Sequence, residues 1–194
     1  VRLAERKGPP RSGNGSSDVT MHPIRKKNRL ADYDYSQPGA YFITVCTKDR
    51  KCILSTIVGA DAHIGPGAPT PVGADAYIGP RAVLTPVGKV VEKYIQSIPG
   101  IGEYVIMPNH VHMILRISAT NILEGPMWAS APTKASIPAM VRSWKILINK
   151  ELGQSIWQRS YYDHIIRDEQ DYLTRVQYIA ENPAKWHFDD YFRW

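Results

Sequence analysis

Cysteine is nearly absent. Cys46 and Cys52 are the only two in 194 residues, too few and wrongly spaced for a disulfide framework or a four-cysteine zinc site, so both are expected as reduced thiols. Long apolar runs are missing too: no stretch approaches the roughly 18 consecutive apolar residues that span a bilayer. The opening VRLAERKGPPRSGNGSSDVT has no apolar signal-peptide core. The expectation is a cytoplasmic protein with no membrane partner. The length leaves no room for two ordinary domains, while a 43% hydrophobic content allows one well-buried core. A surplus of acid is also lacking. Lys and Arg number 24 against 18 Asp and Glu, a formal charge of +6, with Arg25, Lys26, Lys27 and Arg29 clustered. Such a surplus favours an anionic partner, nucleic acid foremost, but it decides nothing without a site beside it.

Residues 1–20 are rich in Gly, Ser, Pro and charge and are expected to be a disordered tail. Met21 is read as the true start, which mass spectrometry of the native N-terminus would settle. Residues 21–194 then form a single domain. From Ala40 the run AYFITVCT alternates Tyr41, Ile43 and Val45 with Phe42, Thr44 and Cys46, the pattern of a strand. A repeat follows, VGADAHIGP from Val58 and VGADAYIGP from Val72. Two copies are too few for a solenoid, and the helix breakers within them suggest an insertion at about residues 57–86. His63 in the first copy is matched by Tyr77 in the second, which argues against a ligand role there.

GKVVEKYIQSI, after Pro86, carries a helical stripe of Val90, Val91, Tyr94, Ile95 and Ile98. EYVIMPNHVHMILRI reads as a hairpin, with strands over 104–107 and 110–117 around Pro108 and Asn109. Helical spacing returns over 134–152 and stops at Gly153, a strand is expected over 161–166, and Asp168 looks like the N-cap of a last helix ending before Pro183. That helix is expected to bury Tyr172, Leu173, Val176 and Ile179. The order predicts an α+β, ferredoxin-like antiparallel sheet (β-α-β-β-α-β), covered by helices on one face and followed by a C-terminal helix.

Alternate strand residues share a face, so His110 and His112 of HVH project together while Val111 points away. That is a ready pair of metal ligands, though two histidines sharing core or solvent hydrogen bonds fit the same spacing. On the last helix, YIAEN sets Tyr178 and Asn182 one turn apart on a common side, away from the buried stripe. An exposed aromatic and a polar residue near a helix end would look the same.

Four segments in order, YDYSQPGAYFITVCTKDR, MPNHVHMIL, WQRSYYDHIIRDEQDY and YIAENPAKW, resemble the REP-associated tyrosine transposases, relatives of the single-tyrosine insertion-sequence transposases of the HUH type. The likeness runs from about Arg25 to Trp186, interrupted by the repeat-bearing insertion. It implies a nuclease that binds imperfect DNA hairpins and cuts single-stranded DNA beside them, working as a monomer or a homodimer. By the same resemblance His110 and His112 hold a metal, Tyr178 is the nucleophile, and Asn182 is the third ligand where many insertion-sequence relatives carry Gln. The cofactor implied is Mg²⁺ or Mn²⁺; imidazole suits Mn²⁺ better, and Mg²⁺ is the ion expected in cells. The chemistry implied is attack by Tyr178 on a DNA phosphate, giving a 5′-phosphotyrosine and a free 3′-hydroxyl.

Tyr161, Tyr162 and Tyr172 lack an amide at the fifth position and are read as packing residues. For DNA binding, Arg25, Lys26, Lys27 and Arg29 can neutralise phosphates and Tyr33 can stack on an unpaired base, with Arg142, Lys145 and Lys150 extending the surface. The competing expectations are a non-catalytic hairpin-binding protein derived from a transposase, an origin-nicking relaxase, and a small metal hydrolase.

Overall fold

The computed structural model describes residues 32–59, 79–118 and 136–192. The N-terminal segment with Arg25, Lys26, Lys27 and Arg29, and nearly all of the repeat, lie outside the described residues.

The first strand, β1 (Gly39–Cys46), is buried from Tyr41 onward on both of its faces. Chain order continues with β2 (Ser55–Val58), β3 (Arg81–Leu84), helix α1 (Pro86–Gln96), β4 (Ile101–Ile106), β5 (His110–Ile117), α2 (Ile137–Leu152), β6 (Tyr162–Ile166) and α3 (Glu169–Glu181). A 3₁₀ turn over Asn182–Phe188 follows α3 directly. The main sheet has the order β4-β5-β1-β6, with every neighbouring pair antiparallel. Leaving out β2 and β3, that is second, third, first and fourth in sequence, the arrangement of the expected β-α-β-β-α-β fold. Its centre is β1, paired along its whole length with β5 from Gly39↔Ile117 to Cys46↔His110.

One sheet face is wholly apolar. Tyr41, Ile43 and Val45 of β1 join Val111, Met113 and Leu115 of β5, and α1 and α2 cover them with Val91, Ile95, Met140, Val141, Trp144 and Ile148. Fully burying one such aliphatic side chain is worth about 1.5–3 kcal/mol, so this face holds much of the stability. The opposite face holds a second cluster of Phe42, Ile114 and Ile179, with Tyr172 and Val176 against it. The helices of the two βαβ halves, α1 and α2, share one face as expected, and the C-terminal helix α3, for which no face was stated, lies on the face that they leave open. The reason is that Phe42 and Ile114, which point away from α1 and α2, also need cover.

Two details depart from expectation. The ends of the segment read as an insertion pair as a two-stranded ribbon, Ser55↔Leu84 to Val58↔Arg81. The ribbon is anchored by Ser55 Oγ donating to the Ile106 carbonyl at 2.8 Å and by Thr85, the N-cap of α1, donating to the Ile53 carbonyl at 2.7 Å. Gly88 sits so close beneath that a Cβ would lie 2.0 Å from the Leu54 carbonyl oxygen. On α3, Leu173 is 51% exposed and not part of the buried stripe. The other ends match: Gly153 closes α2 in the left-handed conformation at φ 67°, and the Asp168 side chain accepts from Asp171 N at 2.8 Å. No described helix is long and apolar enough to cross a membrane.

Candidate active site: a buried histidine pair beside a tyrosine

The tight Pro108-Asn109 turn starts β5 on the face covered by α3, and the two-residue period sends His110 and His112 to that face together. They are 0% and 1% exposed, and their rings meet edge to face at 4.4 Å. Each has its Nδ1 occupied. His110 Nδ1 lies 2.9 Å from Asn109 Oδ1, and the Asn109 amide nitrogen donates to the carbonyls of Arg50 and Tyr191 at 3.2 and 2.7 Å. With its nitrogen spent on two carbonyls, Asn109 can only offer oxygen, so His110 Nδ1 carries the proton and Nε2 the lone pair. His112 Nδ1 is 2.8 Å from Thr44 Oγ1 of the neighbouring strand.

Among the described residues neither Nε2 has a hydrogen-bond partner, and neither does the buried Oδ1 of Asn182. Buried polar atoms are almost always satisfied, and two such nitrogens on histidines whose rings touch suit a shared ligand. Burial drives His112 down to about 3 and, with the charges of His112 and Arg50, takes His110 well below its ordinary value. Both imidazoles are therefore neutral at neutral pH, the form that binds metals.

Asn182 opens the 3₁₀ turn, and its Nδ2 donates to Asp189 Oδ2 at 3.3 Å. That oxygen is 3.9 Å from His110 Nε2, and ligand atoms of His110, His112 and Asp189 all lie within 4.8 Å of one another. Asp189 was not foreseen from the sequence. It follows the turn by one residue, and no periodicity reports where a chain goes after Pro183. Two nitrogens and a carboxylate oxygen form a donor set that fits a borderline-to-hard divalent cation.

Tyr178 stands over this cluster. Its ring is 5.1 Å from that of His112 and 5.9 Å from that of Phe42, both edge to face, and the residue is 38% exposed. Burial pushes the phenol above its usual value, the Asp189 charge adds to that, and the hydrogen bond with Asn182 opposes it. Tyr178 and Asn182, paired in the sequence by spacing alone, are thus neighbours at the end of α3. The chain then turns back so that the Tyr191 ring lies 4.7 Å from His110 with the Arg50 guanidinium 4.4 Å over it.

Other expected residues lie elsewhere. Tyr33 packs at 5.0 Å on Tyr35, and its hydroxyl meets that of Tyr41, whose side chain faces away from the histidines. Arg142 and Lys145 line a cavity of about 440 Å³ with Arg159, Ile146 and Tyr161; Lys150 is exposed and does not line it. Tyr161 is buried, Tyr162 is half exposed, and Tyr172 donates to Glu103 at 2.6 Å.

No family model matches the chain. An uncharacterized protein of Haemophilus influenzae is 31% identical over 185 residues, covering 85% of this chain and 91% of that protein. A second protein of that organism, named "Putative REP-associated tyrosine transposase", is 28% identical over 82 residues, covering 41% of this chain; the match spans about half of it, 47%. A solved structure described as a REP-associated tyrosine transposase bound to a REP hairpin matches at a TM-score of 0.47 and 19% identity, covering 81% of this chain and 73% of that one. The chain belongs to one family with the uncharacterized Haemophilus influenzae protein, and over 82 residues it is similar to the protein named as a REP-associated tyrosine transposase.

Proposed function

We propose that the chain is a metal-dependent endonuclease and strand transferase for single-stranded DNA beside hairpins, acting in transposition through a 5′-phosphotyrosine on Tyr178. One observation carries the reading: His110 and His112, whose buried Nε2 atoms have no hydrogen-bond partner among the described residues, lie within reach of Asp189 and against a tyrosine that solvent can reach. The named relative supports the DNA substrate, since its name joins a tyrosine transposase to REP elements.

His110, His112 and Asn182 hold the cation in this reading, with Asp189 as a fourth candidate. Mg²⁺ or Mn²⁺ bound there would withdraw charge from a phosphate's non-bridging oxygen and offset the Asp189 charge that burdens the phenol. The protein's own groups do the rest. Asn109 and Thr44 fix the two imidazoles in one orientation through Nδ1, so no rearrangement is needed on binding. Phe42, stacked on His112 at 5.2 Å and edge-on to Tyr178, keeps the phenol against the histidine pair. The Tyr178 oxygen attacks phosphorus in line, the P–O bond to it forms, the P–O3′ bond breaks, and the phenol's proton passes to water while O3′ takes one from water to leave as the 3′-hydroxyl. Because the phosphodiester energy is kept in the tyrosyl ester, a 3′-hydroxyl can reverse the step and join the strands.

The test is incubation of the chain with labelled single-stranded DNA carrying genomic hairpins and Mg²⁺ or Mn²⁺, resolved on a denaturing gel beside Tyr178→Phe. A covalent band that needs metal and vanishes in the variant is expected. Hairpin binding with no adduct would make the chain a non-catalytic hairpin-binding protein, and cutting that survives Tyr178→Phe would point to attack by water.

A further inference from the structure

We propose that Arg175 is a phosphate-binding residue of this site, its guanidinium engaging a phosphate of the single strand that enters beside Tyr178. The inference rests on the DNA-nicking reading above. Arg175 precedes Tyr178 by one helical turn on α3, so the two share a flank of the helix. Its Cζ lies 5.7 Å over the ring of Phe42, the ring that also stacks on His112 and meets Tyr178 edge-on. A single aromatic side chain therefore carries the cation, the phenol and a histidine of the pair around it.

The guanidinium is aimed by a second device. Asp171, one turn earlier, accepts from Arg175 Nε through Oδ1 at 3.1 Å. Its other oxygen is engaged by His164 Nε2 at 2.7 Å and by Arg167 N at 3.3 Å. An exposed i,i+4 ion pair alone contributes little to stability, but a carboxylate held by three donors is a fixed post. It uses only the Nε edge of Arg175. Among the described residues the two Nη nitrogens make no hydrogen bond, and the side chain is 31% exposed. A planar fork with free N–H groups, oriented from behind and open to solvent, matches the two non-bridging oxygens of a phosphodiester. His164 acts here through Asp171.

The experiment reads binding without cutting. Fluorescence anisotropy gives the affinity of the full chain for a single-stranded hairpin oligonucleotide in which one phosphate at a time is replaced by a neutral methylphosphonate. Arg175→Gln is expected to weaken the unmodified DNA roughly tenfold and to lower the slope of log K against log salt by roughly 0.7. At one phosphate position the methylphosphonate should weaken the unaltered chain yet leave the variant unchanged, and Arg175→Lys should restore part of the loss. If the two losses multiply at every position, Arg175 touches no phosphate and the inference is overturned. The lysine variant keeps a cation against Asp171 and serves for the same comparison if the glutamine variant melts early. A chain that binds DNA but forms no adduct overturns the nicking reading while the phosphate walk still decides this one; a chain that binds no single strand overturns both.

Discussion

The two faces of the central sheet are made by the same strands, β1 and β5, one residue out of phase, and they carry opposite cargo. Tyr41, Ile43, Val45, Val111, Met113 and Leu115 meet α1 and α2 in a dry core. Phe42, Thr44, His110, His112 and Ile114 meet α3 and the segment beyond it, with the buried Nε2 atoms of both histidines and Oδ1 of Asn182 left without partners among the described residues. The first face spends its burial on stability. The second accepts an electrostatic cost that a bound cation would relieve. In a strand pair buried on both sides, a shift of one residue exchanges chemistry for packing.

The comparison breaks most sharply at Tyr178. Tyr178→Phe should lower adduct formation by roughly a thousandfold or more, while its urea midpoint stays that of the unaltered chain, because the ring that touches Phe42 and His112 remains. On the other face, Trp144→Ala should cost about 3–5 kcal/mol in urea unfolding, since Trp144 is fully buried against Trp157 at 4.7 Å; a loss under 1 kcal/mol would deny that this face carries the stability. Mn²⁺ at about a hundred times its dissociation constant should stabilise the chain by about 2.7 kcal/mol. His110→Ala should abolish that gain, and a gain that persists would place the metal elsewhere.

Acid should separate the faces without mutation. His112 binds its proton at about 3 in the folded chain against 6.5 in the unfolded one. Above 6.5 both states are neutral and nothing is lost. As pH falls below that value the unfolded chain takes up the proton first, and the loss levels off near 3. Metal-free protein should therefore lose about 1.4 kcal/mol per pH unit in that window from this residue. Urea melts at successive pH values check it, and a slope equally steep in His112→Gln would assign the loss to other groups. Smallest of all, Leu173→Ala should change stability by no more than about 0.5 kcal/mol, because the side chain is half exposed.

Much of this was legible in the sequence. The HVH spacing placed both histidines on one face, and the YIAEN spacing brought Tyr178 and Asn182 together. The order of strands and helices was readable from periods of 2 and 3.6. What was not readable depended on long-range placement. The run YFITVC is apolar on both alternations except at Thr44, a sign of two-sided burial that one helical layer cannot satisfy, yet nothing local says which helix supplies the second. STIV and RAVL are too short to stand out beside the Gly and Pro of the repeat, and only their pairing makes them strands. Leu173 adjoins Tyr172 on α3, and angular spacing cannot choose between adjacent positions at the edge of a stripe. Asp189 reaches the histidines through a 3₁₀ turn that begins at Asn182 itself, so its position depends on tertiary packing.

The most direct test of the central claim is to trap the protein on a hairpin-bearing single strand with Mn²⁺, digest both components, and sequence the linked peptide by tandem mass spectrometry. A nucleotide joined through its 5′-phosphate to Tyr178 is the expected result. A nucleotide on Tyr191, Tyr162 or any other side chain would contradict the assignment of Tyr178 as the nucleophile.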